Sequence, residues 1–186
     1  MIVKNFFCLS PIYNLSLIDN LIFYSKLALF TFASTLLISL SILFGKIIPQ
    51  IEKWLPVFFH KMLLWLLSIQ IEIVCEANRS SKGNLFISNH LSYLDIPILG
   101  SKFPLRFVAK SEVKSWPLFG FLAMKAGSIF INRNKIDSLN QKNKISNALS
   151  SGDKIFIFPE GTTSDGNRVL EFKSSSFSSV ERQKFT

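Results

Sequence analysis

A chain of 186 residues holds one ordinary domain with a core and is too short for two of ordinary size. Its formal charge of +9 suits an anionic membrane, phosphate-bearing substrates or an acidic partner, whereas no RNA-binding signature and no block of Lys or Arg supports nucleic acid. Hydrophobic residues make up 48%, with 19 Phe, and the two cysteines, Cys8 and Cys75, give neither a metal spacing nor a disulfide framework.

The first predicted element is apolar. Residues 27–44 carry no charge, and Lys26 and Lys46 bracket them. Extended to its flanks, 21–48, the run reaches the roughly 20 apolar residues that a helix needs to cross the hydrocarbon core. It begins too far into the chain, and lacks a small-residue cleavage site, to read as a signal peptide. A second apolar helix is predicted over residues 54–73. His60 and Lys61 interrupt it, and Pro56, Trp54 and Trp65 fit an amphipathic helix at a membrane interface. Residues 1–75 are therefore expected to be a membrane-anchoring helical region, as a re-entrant pair or a full crossing. The buried hairpin of a soluble protein is the alternative. Lys26, Lys46 and Lys53 fall on both sides of the run, so positive charge does not orient it. His60 reads as structural or interfacial, and Cys75 as a small buried hydrophobe.

Residues 76–84 are a polar break, read as a turn or short hairpin loop. The pattern then changes to short apolar runs separated by helical stretches. Leu85–Ser88, Arg106–Ala109, Ser128–Ile131 and Lys154–Phe158 are predicted strands. Ile136–Ser150 is a predicted polar amphipathic helix, ending near Gly152-Asp153. Strands alternating with helices make residues 76–186 an α/β domain. The tail from Phe172 to Thr186 is rich in Ser and Lys and shows no clear period.

Three polar groups follow predicted strands, where sites sit in open α/β sheets. The first is His90 with Asp95. Their five-residue offset does not make neighbours on one helix face. It works if His90 lies in the strand-to-helix turn and Asp95 opens the next helix, which Pro97 in a first turn permits. The Asp carboxylate then accepts from one ring nitrogen, and the other nitrogen faces a substrate hydroxyl. The second is Arg133, closing the Gly127–Asn132 stretch, whose guanidinium can hold a phosphate bidentately. The third is Phe158-Pro159-Glu160-Gly161-Thr162-Thr163. Gly161 there lets backbone approach a ligand, and Glu160 and the Thr hydroxyls can bind glycerol hydroxyls or support an Arg. Each group alone is a common coincidence.

Together and in this order, the three match His-x4-Asp, Gly-x-x-Phe-x-x-Arg and Phe-Pro-Glu-Gly-Thr. The sequence thereby resembles the 1-acylglycerol-3-phosphate O-acyltransferase family over roughly residues 85–180. The stretches Tyr93 to Gly100 and Thr163 to Leu170 resemble one bacterial branch, whose members are assigned to lysophosphatidate or to lyso-ornithine lipid. The resemblance implies a mixed sheet with flanking helices, preceded by an apolar helical hairpin. It implies acyl transfer from acyl-CoA or acyl carrier protein to the free hydroxyl of lysophosphatidate, giving phosphatidate, with lyso-ornithine lipid as the alternative acceptor. By the same resemblance His90 is the general base and Asp95 orients it. Arg133 binds the acceptor phosphate, Glu160, Gly161 and Thr162 shape the acceptor pocket, and Lys110 is a second anion contact. No metal and no cofactor are expected. The implied location is a bacterial inner membrane, with the site on the cytosolic side where thioesters are found. Relatives carry a further apolar, proline-containing strand motif beyond the third element. None precedes Thr186, so the domain is expected to be truncated at its carboxyl end, and an inactive membrane-bound remnant is a further alternative.

Overall fold

The uncharged run folds as one long helix. In the computed structural model, which describes residues 17–45, 47–73, 85–132 and 138–177, α1 spans Leu17–Phe44 and α2 spans Pro49–Leu66. Among the described residues, α1 alone is long and apolar enough to cross a membrane. It is apolar around its whole circumference, which marks a helix suited to a non-aqueous surround. Leu21 and Phe32, for example, stand about 70% exposed on it. The two helices form a hairpin. Phe30 meets Phe59 at 5.6 Å between ring centroids, and Lys26 Nζ lies 5.3 Å from the Trp65 ring centre and 3.3 Å from Ser68 Oγ. At the bend, a Cβ on Gly45 would stand 2.7 Å from the Glu52 side chain and 2.5 Å from Ser41 O, so only glycine fits.

The second helix stops earlier than its apolar pattern implies. It ends at Leu66, not Ile73, because Ser68 takes a left-handed conformation with φ 53°. Ser68 N then donates to Trp65 O at 3.1 Å and Ile69 N to Leu64 O at 2.9 Å, which closes the helix in a Schellman motif. Serine in place of the usual glycine hides that stop from the sequence. The helices, with residues 100–103, form one compact unit; residues 85–99 and those from 104 onward form a second. The predicted turn at 76–84 and the expected boundary after residue 75 lie outside the described residues.

In the second unit the four predicted strands are present: β1 Leu85–Ile87, β2 Arg106–Lys110, β3 Ile129–Ile131 and β4 Ile155–Ile157. They form one sheet in the order β1-β4-β2-β3. Among the described residues the three pairings are all parallel, where a mixed sheet is expected. Between the strands run α3 Asp95–Gly100, α4 Phe119–Lys125 and α5 Ser138–Ser150. Central β4 is buried along its whole length, as expected for a parallel strand covered on both faces. On one face Ile155 and Ile157 pack with Ile129 and with Ile145, Ala148 and Leu149 of α5, whose spacing is one helical stripe. On the other, Phe156 contacts Phe107 and stacks parallel to Phe86. Gly152, at φ 81°, ends α5 where the sequence places it. Arg106 fastens the amino ends of three strands, with Nε on Gly127 O at 2.7 Å and Nη1 on Asp153 Oδ2 at 2.6 Å.

Ile155 is fully buried at the centre of this sheet. Ile155→Ala is expected to destabilise the α/β unit by about 2–5 kcal/mol, read as a lower denaturant midpoint at unchanged slope. A loss below about 1 kcal/mol would place the core elsewhere.

Candidate active site

The chain leaves β1 through Ser88 and Asn89 and turns at His90. Ser92 then caps the next helix: its Oγ accepts from Leu94 N at 3.2 Å, and Asp95 reaches back to Ser92 N at 3.0 Å. This Ser-x-x-Asp arrangement makes the reach-back half of a capping box, with Asp in the position usually held by Glu, while Ser92 Oγ takes the amide two residues on and not three. The same Asp95 Oδ2 accepts from Leu91 N at 2.8 Å and lies 2.8 Å from His90 Nδ1. A local helix-starting device thus aims the carboxylate at the imidazole. Asp95 is the first residue of α3 and Pro97 falls in its first turn, as the five-residue offset requires.

From the neighbouring strand, β4 delivers the third sequence motif to the same place. The Phe158 ring stacks on the imidazole at 4.0 Å and 17°. Pro159 and Glu160 are buried, and Glu160 is only 2% exposed. Its Oε2 accepts from His90 N and its Oε1 from Leu170 N, both at 2.7 Å. Gly161, at φ 68°, turns the chain, with its N–H on Phe158 O at 3.0 Å. Ser164 N donates to His90 O at 2.8 Å. The structure thus brings His90, Asp95, Glu160 and Gly161 together. Thr162 follows Gly161 and is exposed, and Lys110 is exposed at the carboxyl end of β2, the same sheet edge. Arg133 lies outside the described residues.

Sequence reasoning missed four contributors. Ser92 was legible as the first position of its capping box. Phe158 stands in a quoted motif, but its contact with His90 depends on β1 and β4 being neighbours. The amides of Ser164 and Leu170 carry no side-chain signal.

The arrangement fixes the imidazole for proton transfer. With Nδ1 donating to Asp95, Nε2 keeps the lone pair that a general base uses. The His90 side chain retains 13% exposure, enough for a reactant to reach one edge. Burial works against the charge on Asp95, but the hydrogen bond from His90 and the amides of Ser92 and Leu91 outweigh it. They hold this carboxyl below the ordinary carboxylate range.

A carboxyl depressed in the folded state stabilises the fold above its unfolded pKa, about 4, and that stability is lost as pH falls through the folded value. Asp95→Asn is expected to cost about 1–3 kcal/mol at neutral pH, from the charged hydrogen bonds it removes. The gap to the parent should close as pH falls below about 4, read from denaturant melts across pH. A gap independent of pH would sink this account of the carboxylate.

Comparison with known proteins bears on this geometry. The Acyltransferase family model matches residues 70–186. A lyso-ornithine lipid O-acyltransferase of Rhizobium meliloti is 42% identical over 127 residues, which are 68% of this chain and 43% of that protein. A second, from Brucella abortus, is 39% identical over 142 residues, 76% of this chain and 53% of that protein. A 1-acyl-sn-glycerol-3-phosphate acyltransferase of Neisseria gonorrhoeae is 38% identical over 133 residues, 71% of this chain and 52% of that protein. The chain spans about half the length of these relatives. The crystal structure of the 1-acyl-sn-glycerophosphate acyltransferase from Thermotoga maritima shares the fold, with a TM-score of 0.59 at 22% identity, covering 88% of this chain and 69% of that one. By the family match over most of its length, the chain belongs to the Acyltransferase family.

Proposed function

We propose that the protein transfers an acyl chain from a thioester, acyl-CoA or acyl carrier protein, to the free hydroxyl of lysophosphatidate, forming phosphatidate. The observation that carries this reading is the 2.8 Å contact between His90 Nδ1 and Asp95 at the carboxyl edge of the sheet. In the proposed reaction His90 Nε2 takes the hydroxyl proton as the lipid oxygen attacks the thioester carbonyl carbon. The tetrahedral intermediate collapses with cleavage of the carbon–sulfur bond. The imidazolium then returns its proton to the departing thiolate, giving free thiol and ester. Asp95 holds the tautomer and offsets the charge that develops on the ring. Arg133 and Lys110 are the proposed contacts for the acceptor phosphate, and Gly161 and Thr162 the proposed lining of the acceptor pocket. The long apolar helix α1 supports attachment to a membrane, where a lysolipid is found. We place the protein at a bacterial inner membrane with the site facing the cytosolic thioesters.

A second acceptor is favoured by the Rhizobium and Brucella relatives, both named for lyso-ornithine lipid. That lipid has no phosphate, so the phosphate role of Arg133 would fall away while the His90–Asp95 chemistry stayed the same.

Membranes containing the chain are expected to acylate lysophosphatidate from a long-chain thioester, with His90→Ala lowering turnover about 100- to 10,000-fold. Near-normal turnover in His90→Ala would remove the base assignment. Parallel assays with lyso-ornithine lipid decide the acceptor. A preference of about tenfold or more in kcat/KM for that lipid replaces the first reading with the second.

A further inference from the structure

We infer that Glu160 is a positioning residue, whose carboxylate acts on the main chain carrying the base and not on the acceptor lipid. The consequence for turnover rests on the acyl-transfer reading above; the contact itself does not.

Glu160 is 2% exposed, which leaves almost no surface for a substrate hydroxyl to approach. Each of its two oxygens already has a main-chain amide at 2.7 Å, His90 N on Oε2 and Leu170 N on Oε1. Amide bonds to a carboxylate are charge-assisted and short, and a buried carboxylate is tolerated when such donors replace water. The two amides are 80 positions apart in the chain, so one side chain ties the turn after β1 to the strand of chain beyond Gly161.

The tie does not stand alone. Ser164 N holds His90 O, and the Phe158 ring covers one face of the imidazole. Gly166, at φ 80°, passes close to the catalytic turn: a Cβ there would stand 3.5 Å from the Leu91 side chain. Residues 158–166 therefore form a collar that fixes the amide, the carbonyl and the ring face of His90. Asp95 fixes Nδ1. The Glu160 bonds can be altered by changing a side chain without touching the ring or its Asp partner. A small displacement of a base costs rate steeply, because proton transfer needs hydrogen-bond reach to the reacting hydroxyl.

The test compares Glu160→Gln and Glu160→Asp in the full chain. Gln keeps the shape but replaces one acceptor oxygen with a donor, so one amide loses its partner. Asp keeps the charge but is one methylene shorter and cannot span both amides. Both are expected to lower kcat about 10- to 100-fold while the acceptor KM stays within about threefold. Both should also speed hydrogen exchange at one or both of the His90 and Leu170 amides. An acceptor KM raised about tenfold or more with kcat unchanged would assign Glu160 to the lipid and overturn the inference. Full activity in Glu160→Asp beside loss in Glu160→Gln would credit the charge alone and overturn it as well. Hydrogen exchange needs no substrate, so the two readings fail separately. A parent chain that acylates neither lysolipid ends the acyl-transfer reading, whereas unchanged exchange at both amides in Glu160→Gln ends the tie.

Discussion

Parallel pairing of β1 with β4 is the constraint on which the site depends. The register sets Leu85 beside Ile155 and Ile87 beside Ile157, so both strands end at the same level of the sheet. Both chains then emerge side by side, and residues 70 apart in sequence, His90 and Glu160, come within a hydrogen bond. Parallel strands cannot be joined by a hairpin, so a crossover must intervene, and here it contains helices together with β2 and β3. Those intervening elements supply the rest of the sheet and put β4 at its centre. An antiparallel partner for β1 would deliver the start of a strand, not its end, and His90 would have no wall.

The site is built from main-chain groups as much as from side chains. Asp95 Oδ2 gathers two amides and one imidazole nitrogen, and Glu160 gathers two amides. Inside a protein such donors are oriented before any reactant arrives, and they cost no reorganisation during the reaction. The aromatic side of the sheet adds stiffness. Phe107, Phe156 and Phe158 lie in mutual ring contact, and the last of them reaches the imidazole. The richness in phenylalanine is thus not confined to the helical hairpin; part of it runs under the turn that carries His90.

Much of this was legible in the sequence, and the reasons differ by element. The strands were legible because fully buried parallel strands read as short apolar runs, and Ile155 to Ile157 is the clearest. The end of α5 was legible because glycine takes the left-handed position there. The end of α2 was not, because Ser68 takes that position without glycine's signal. His90 and Asp95 were legible as residue types at a workable offset, and the helix start at Asp95 confirmed the geometry. What Glu160 touches was not legible, since its partners are amides, and every residue but proline has one. Which strand neighbours β1 was equally hidden, because strand order is a long-range outcome that local pattern does not encode.

The third motif makes sense residue by residue once those neighbours are known. Phe158 supplies a flat face to the imidazole. Pro159 is buried with a carbonyl that accepts from Lys173 N at 3.1 Å, which anchors the returning chain. Glu160 spans from His90 to Leu170. Gly161 turns at a positive φ that a side chain would strain, and so releases the chain toward Ser164, whose amide closes on His90 O. Thr162 follows in the open, exposed to whatever approaches. Two of the five positions, Phe158 and Glu160, therefore touch His90 directly, and Thr162 faces outward. A motif that reads as a substrate pocket also holds, through Phe158 and Glu160, the turn in which His90 sits.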